Sequence, residues 1–295
     1  MVAIAATLLV SGLLSGGYLA DTTIVVPAGQ RLEVEAHGGE VVVDTWTRGD
    51  VRIHATYGSR DQIRVTRTGE VIRVTSPGRA GGPTIIDYRI TVPTGMQLEL
   101  TGLYTSITVT GSDGPIRANT VNGDITLNGG VGQVSGVSVM GNVLVTGARG
   151  TIEASTVSGH VRVRDAEGRI DAEAISGSVV IERARADHVS ATTVSGPVYY
   201  DGAIAGGGRY LFGSHSGTLT VSVPAALNAS VTVAQLAGPF TSSIAALSQT
   251  PRTPGRRQTF TVGSGSAMLE LETFSGAIRV VRTGEVPPPP TPARR

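Results

Sequence analysis

The sequence predicts an all-β protein built around a right-handed parallel β-solenoid, with 18-residue coils and irregular β caps. Three observations predict it. Nine positions at a regular nine-residue spacing are all Ile or Val: Ile107, Ile116, Ile125, Val134, Val143, Ile152, Val161, Ile170 and Val179. With 37 Val and 18 Ile in 295 residues, such a run marks a repeat. A second signature, Thr-Val-(Asn/Ser)-Gly, recurs at Thr120–Gly123, Thr156–Gly159 and Thr193–Gly196. Finally, glycine is abundant at 40 residues while aromatics are only 4%, and helix-period segments are absent beyond the N-terminus. That balance suits short strands and tight turns.

The first twenty residues are apolar and uncharged. Val2 to Leu14 would serve as the hydrophobic stretch of a secretory signal, with cleavage between Ala20 and Asp21. The usual positive residues before it are missing, and Gly12, Gly16 and Gly17 interrupt the run too early for a membrane anchor. Export to the periplasm, cell envelope or exterior is therefore expected. Residues 21–100 hold alternating strand-like runs punctuated by Gly38-Gly39, Gly49 and Gly69, with a loop at Pro77–Pro83. They read as an N-terminal β cap.

The repeat proper spans residues 101–222. Its bend glycines are expected at Gly123, Gly141, Gly159, Gly177, Gly196 and Gly217, evenly spaced at first and more widely over the last two steps. Glycine after Asn or Ser suits a bend with positive φ. Inward pairs such as Ile125/Leu127 and Ile152/Ala154 alternate large and small layers, letting a narrow core fill. The column Val121, Val139, Val157, Ile175 and Val194, continued by His215, is expected to plug the interior at the bend. Asn122, Ser158, Ser176, Ser195 and Ser216 would form a hydrogen-bonded ladder. Residues 223–283 repeat the theme weakly and read as a C-terminal cap. Residues 284–295 form a Pro-rich tail.

Val92-Pro93-Thr94-Gly95 leading into Leu98-Glu99-Leu100, with Val121-Asn122-Gly123-Asp124-Ile125 echoed once per coil, resembles the bacterial putative-adhesin "toast-rack" family, a domain of unknown function. Gly39–Trp46 followed by Asp50–Ile53 is similar to that family's opening. The resemblance runs over residues 22–283 and implies an exported or surface-associated bacterial β-solenoid. It brings no catalytic residues with it.

The remaining residues argue against familiar chemistry. No cysteine is present, which excludes disulfides, thiol catalysis and Cys-based zinc sites. All 24 basic residues are Arg and are scattered, giving no nucleic-acid footprint; Arg252, Arg256 and Arg257 read as a solvated turn. His37, His54, His160, His188 and His215 lack metal-type spacing. Gln133, Arg149 and Arg169 stand where a calcium-binding β-roll needs Asp. Asp165, Glu167, Asp171 and Glu173 could suggest glycoside chemistry, but Asp165 and Glu167 sit at a turn and Asp171 and Glu173 alternate outward, with Arg162, Arg164 and Arg169 as neutralising partners, as solvated charge would. Gly213-Ser214-His215-Ser216-Gly217 matches the nucleophile-elbow pattern, but strand rather than helix follows it.

One outward column, Thr126, Leu144, Arg162, Val180 and Tyr199, is largely apolar. Leu144, Arg162, Val180 and Tyr199 are its candidate binding surface, with Tyr200, Tyr210 and Phe212 clustered nearby in sequence. The expectation is a non-enzymatic exported adhesin or structural module that uses no cofactor or metal. Its partner would be a surface glycan, a protein, or a second copy stacked through the solenoid ends, and not nucleic acid. The alternatives are a carbohydrate-active enzyme on a β-helix scaffold and an envelope-associated sensory or regulatory domain.

Overall fold

The computed structural model describes residues 18–76, 84–248 and 257–285. The apolar segment up to Gly17, the Pro77–Pro83 loop, Arg252 and Arg256, and the tail from Val286 lie outside the described residues. The chain divides into two compact units, residues 1–141 and 142–295. The regular elements described are strands, apart from the single turn α1 (Ala245–Ser248).

The first unit contains β1 (Tyr18–Val25), β2 (Arg31–Trp46), β3 (Asp50–Tyr57), β4 (Arg64–Thr68), β5 (Val71–Thr75), β6 (Ile86–Pro93), β7 (Gln97–Ser112), β8 (Ile116–Asn122), β9 (Ile125–Gly129) and β10 (Val131–Met140). Two parallel ladders run through it. One is β10–β8–β7–β2–β5 and the other β9–β7–β2–β6. The 16-residue strands β2 and β7 serve both ladders, one with each half. Antiparallel β4 closes the first ladder, and antiparallel β3 and then β1 close the second. These are the expected β caps, although β2 is itself a regular coil in register with β7, Leu32 opposite Leu98 and Val41 opposite Ile107. β1 begins at Tyr18, so the expected cleavage point falls inside a strand. Ala20 is buried opposite Ala55, and Asp21 accepts two hydrogen bonds from Arg52, at 2.6 and 3.0 Å.

The second unit contains β11 (Val143–Thr146), β12 (Arg149–Ser158), β13 (Val161–Arg164), β14 (Glu167–Ser176), β15 (Val179–Ser195), β16 (Val198–Gly202), β17 (Arg209–Ser216), β18 (Leu219–Val223), β19 (Ala229–Ala237), β20 (Phe240–Ser242), β21 (Gln258–Val262), β22 (Ala267–Ser275) and β23 (Ile278–Arg282). Again there are two ladders: β12–β14–β15–β17–β22–β19, and β11–β13–β15–β16–β18–β23–β20. Antiparallel β21 closes the first beyond β19. The last coil in sequence, β22–β23, sits between β17–β18 and β19–β20. The segment expected as an irregular cap therefore supplies two further coils, in an order the chain does not follow.

Register explains the uneven glycine spacing. Ile152 faces Ile170, one regular repeat on, but Ile170 faces Val189 and Val189 faces Tyr210, each a longer step. The first extra residue is absorbed as a bulge opposite Gly168/Arg169, and the residues that lengthen the next step lie in the loop between β16 and β17; the shift at Glu182/Ala184 instead leaves Arg183 of β15, at φ 53°, unmatched in β16. The core is the interior of each stack. All nine Ile/Val repeat positions are buried to 1% exposure or less. The opposite layer is small at Ala118, Ala154 and Ala172, then grows to Phe212 and Leu271. Tyr200 packs on Phe212 with ring centroids 4.9 Å apart. Its hydroxyl donates to the Ala203 carbonyl at 2.8 Å, and that of Tyr210 donates to Ala186 O at 2.7 Å. Burial pushes both phenol pKa values up. This aromatic cluster is core, not surface; the longer coil gives it room and pairs its hydroxyls.

The signature has one geometric cause. Along each strand 152, 154 and 156 point inward, so Thr156 is interior and Val157 exterior. In successive coils the interior hydroxyl donates to the bend carbonyl of the coil beneath. Thr193 reaches Gly177 O at 3.0 Å, Ser214 reaches Gly196 O at 3.0 Å, and Ser138 reaches Gly123 O at 2.9 Å. A Cβ on the glycine three positions later would overlap that same oxygen: Gly196 against Gly177, Gly217 against Gly196, Gly141 against Gly123. Thus the hydroxyl ladder runs through Thr120, Ser138, Thr193 and Ser214, not through the expected Asn122–Ser216 column, which faces solvent. Gly177 adds a φ of 145°, whereas Gly217 is required by close approach alone.

Two outcomes follow. Gly177→Ala should cost about 3 kcal/mol, combining backbone strain with overlap on a backbone atom that cannot swing away. The thermal midpoint followed by circular dichroism should fall by roughly 5–10 °C, while Ser176→Ala next door should stay within about 0.5 kcal/mol; equal effects would contradict the stacking account. Thr193→Val, which keeps shape but removes the donor to Gly177 O, should cost about 1–3 kcal/mol in urea unfolding.

Candidate functional site

Strand alternation puts the middle residue of each signature outside. The column expected to plug the bend is accordingly exposed, because the inward place is taken by the hydrogen-bonded Thr or Ser. In the first unit Val121 and Val139 are exposed. In the second unit the exposed column is continuous over six strands: Val157, Ile175, Val194, His215, Phe274 and Leu236 stand side by side in the register of β12, β14, β15, β17, β22 and β19. Exposure is 41% for Val157, 43% for Ile175, 49% for Val194, 53% for Phe274 and 52% for Leu236. At the parallel-strand spacing of about 4.8 Å, six rungs make an apolar ridge about 24 Å long. His215, expected in the interior, stacks outside on Phe274 with centroids 4.8 Å apart and planes at 12°.

A shallow, open groove of about 580 Å³ borders the aromatic rungs. Thr192, Gln235, Arg257, Glu272, His215 and Phe274 line it. In its wall Arg257 pairs with Glu272, and it also reaches Glu270, outside the groove, at 3.0 Å. Gln235 is buried and donates to Gly276 O at 2.6 Å, standing in for the Thr or Ser of other coils. Thr273 holds the same place in β22, but its hydroxyl is buried with no hydrogen-bond partner. These residues were hidden from sequence reasoning, since β17 and β22 neighbour each other only through the reordered stack.

The column proposed from sequence behaves differently. Leu144 is half-buried, and Arg162, Val180 and Tyr199 are only 5%, 2% and 4% exposed. They form no accessible surface. Alternation fixes which way a side chain points, not whether that face is covered. On that face Arg162 and Arg164 share Glu182 Oε2, at 3.2 and 2.6 Å. Burial pushes the Arg162 pKa down while Glu182 opposes that shift, and burial pushes the Tyr199 hydroxyl up to about 12.

Three carboxylates of the strip, Asp165, Glu167 and Asp171, are held in ion pairs. Arg183 forks onto Asp165 with both bonds at 2.7 Å, Arg185 reaches Glu167 at 3.2 Å, and Arg169 reaches Asp171 at 3.0 Å. The Arg183 hydrogen bonds hold Asp165 below the usual carboxylate range. A general acid needs the opposite shift. Ser214 in the elbow-like pentapeptide is buried and gives its proton to Gly196 O, while His215 points to the other face. His160 is occupied by Ser178, whose hydroxyl lies 2.8 Å from Nδ1 and whose backbone N–H donates to it at 3.1 Å. Among the described residues no group of three His, Asp or Glu side chains is placed to hold a metal.

The buried cluster gives a direct test of why Arg162 is not a binding residue. Glu182→Gln should destabilise by about 3 kcal/mol, since two guanidiniums lose their shared carboxylate in a desolvated place. Glu182→Gln behaving like an exposed pair, with a loss under about 0.5 kcal/mol in urea, would restore this face as surface.

Among solved structures the chain is similar to a putative cell adhesion protein from Clostridium sporogenes, at 10% identity over 89% of this chain and 99% of that one, with a TM-score of 0.22. It is also similar to a putative adhesin from Parabacteroides distasonis, at 12% identity over 89% and 96%, with a TM-score of 0.46. No curated protein matches. The Toastrack DUF4097 family model matches residues 6–202, about two thirds of the sequence. The chain belongs to the Toastrack DUF4097 family.

Proposed function

We propose that this chain is an exported, non-enzymatic, adhesin-like module of the bacterial cell envelope, acting by rigid display of side chains along a β stack. The observation that carries this reading is the exposed ladder from Val157 to Leu236. Six apolar or aromatic residues are held in line by backbone register, where one-sided solvation would favour polar residues. The inward residue of each strand already satisfies the core, so folding gives no reason for the outward one to be large and apolar. Ion pairing of the Asp165–Asp171 strip supports display over hydrolysis. The apolar Val2–Leu14 stretch supports export.

The test is adherence of the full chain to surfaces coated with extracellular-matrix proteins and with polysaccharides, with reducing-end release assayed in the same wells. Saturable binding without product is expected. Replacing Val157, Ile175 and Val194 together by Ser should weaken it about tenfold, the loss of roughly 1.4 kcal/mol of apolar contact, with the circular dichroism spectrum preserved. Product release, or binding indifferent to the triple variant, would overturn the reading.

A further inference from the structure

The second ladder of the first unit ends at β1, which among the described residues pairs with β3 alone. Its other edge is open. Proteins blunt such edges with charge, proline, bulges or very short strands. β4, which ends the first ladder of the same unit, is blunted by Arg64 and Arg67. β1 has none of these devices. Its eight residues run in unbroken register with Tyr57 to Asp50, it holds no proline, and its one charge, Asp21, is tied back to Arg52.

One contact fixes which backbone groups face the open edge. The Val26 N–H donates to Gly49 O at 3.0 Å, in line with the β1–β3 register. In an antiparallel pair, alternate residues turn their N–H and C=O toward the partner strand. Ala20, Thr22 and Ile24 therefore spend theirs on β3, while Leu19, Asp21, Thr23 and Val25 aim theirs at the edge. The one hydrogen bond reaching that edge from the described residues is long, from Arg67 Nη1 to Val25 O at 3.4 Å. Side chains alternate too. Ala20 is buried in the stack, and the Thr22 hydroxyl is buried with no hydrogen-bond partner. Val25 is 76% exposed.

We propose that the open edge of β1 pairs antiparallel with β1 of a second copy of this chain, about a two-fold axis at Thr22. This inference makes no use of the exposed apolar ladder and is independent of the display reading. Self-complementarity selects a second copy as the occupant. With the axis at Thr22, Leu19 faces Val25 of the second copy and Asp21 faces Thr23, each pair exchanging two backbone bonds. Every edge-facing group from Leu19 to Val25 is then satisfied, about eight bonds in all. Thr22 meets its own counterpart in the closer, non-hydrogen-bonded kind of pair, where the two hydroxyls bond each other and the orphaned oxygen gains a partner. On the inner face Ala20 lies opposite Ile24, and on the outer face Leu19 covers the exposed Val25. Neighbouring registers are worse. An axis at Asp21 sets two carboxylates directly opposite each other. An axis at Thr23 brings Pro27, which has no donor, against Leu19. The two-fold closes both edges, so association stops at the dimer. The pairing uses Leu19 and so needs β1 intact, not cut after Ala20.

The test is the mass of the full chain in solution by light scattering over a concentration series, repeated with edge variants. A dimer is expected. Thr23→Pro removes an edge donor and leaves the bonds to β3 in place, so the dissociation constant should rise at least about tenfold. Val25→Lys sets a charge against Leu19 of the other copy at a site too exposed to matter to the fold, and should act alike. Circular dichroism of both variants should match the parent. Thr22→Cys reads the register. The chain has no cysteine, so mild oxidation should link two copies through this position, where Cα atoms about 4.5 Å apart suit a disulfide. Thr23→Cys, out of line with its counterpart by two residues, should stay unlinked on a denaturing gel. A chain monomeric at every concentration overturns the proposal. So does a dimer unmoved by both Thr23→Pro and Val25→Lys, which places the contact elsewhere. Failure of Thr22→Cys to link a dimer overturns the two-fold at Thr22.

Discussion

The structure depends on how closely two coils approach at the bend. The carbonyl oxygen of one bend glycine occupies the space in which the next coil's bend residue would carry its Cβ. The same oxygen accepts the hydroxyl of the residue three positions before that glycine, as Gly177 O does from Thr193 and Gly196 O from Ser214. A single atom thus imposes two sequence requirements, a small interior donor and a glycine. Burying the bend carbonyl without a donor would carry the cost of an unsatisfied polar group, and a side chain at the glycine would push the coils apart. Ala174 and Thr273 make no such bond in their own coils, so the glycine is the stricter half of the pair.

With the bends pinned, the core is free to vary. Small second-layer residues at Ala118, Ala154 and Ala172 give way to Phe212 and Leu271 as the coils lengthen. The extra residues leave the ladder as bulges or loops, so strand register survives each insertion. This is why Tyr200 and Tyr210 can enter the interior. Their rings fill the wider section, and the carbonyls of Ala203, just after β16, and Ala186, within β15, accept hydrogen bonds from their hydroxyls.

The same frame separates two kinds of outer face. On the ladder containing β13, β15, β16 and β18, outward Arg162, Val180, Glu182 and Tyr199 are buried, and the charges among them are spent on one another. At the bend of the other ladder, outward residues stay exposed and apolar from Val157 to Leu236. Carboxylates fixed by arginine are poor proton donors, whereas a row of rigid apolar groups is suited to contact. That distribution of charge and exposure is what the proposed display role rests on.

The sequence by itself determined the strand class, the two alternating nine-residue halves, the buried Ile/Val positions and the bend glycines. Each of these is set by local periodicity, and a repeat writes local periodicity many times over. It also carried the family resemblance, through the Val92–Leu100 and Val121–Ile125 runs. Which side of the bend a residue faces was not legible, because it turns on strand phase at the glycine, and a shift of one residue exchanges Thr156 with Val157. Burial of the Leu144–Tyr199 column was hidden for a related reason, since outward direction does not say what covers a face. The stacked pair His215 and Phe274 was decided only by tertiary structure. His215 and Phe274 are distant in the chain and become neighbours because the last coil, β22–β23, inserts between β17–β18 and β19–β20, a long-range pairing that no local pattern encodes.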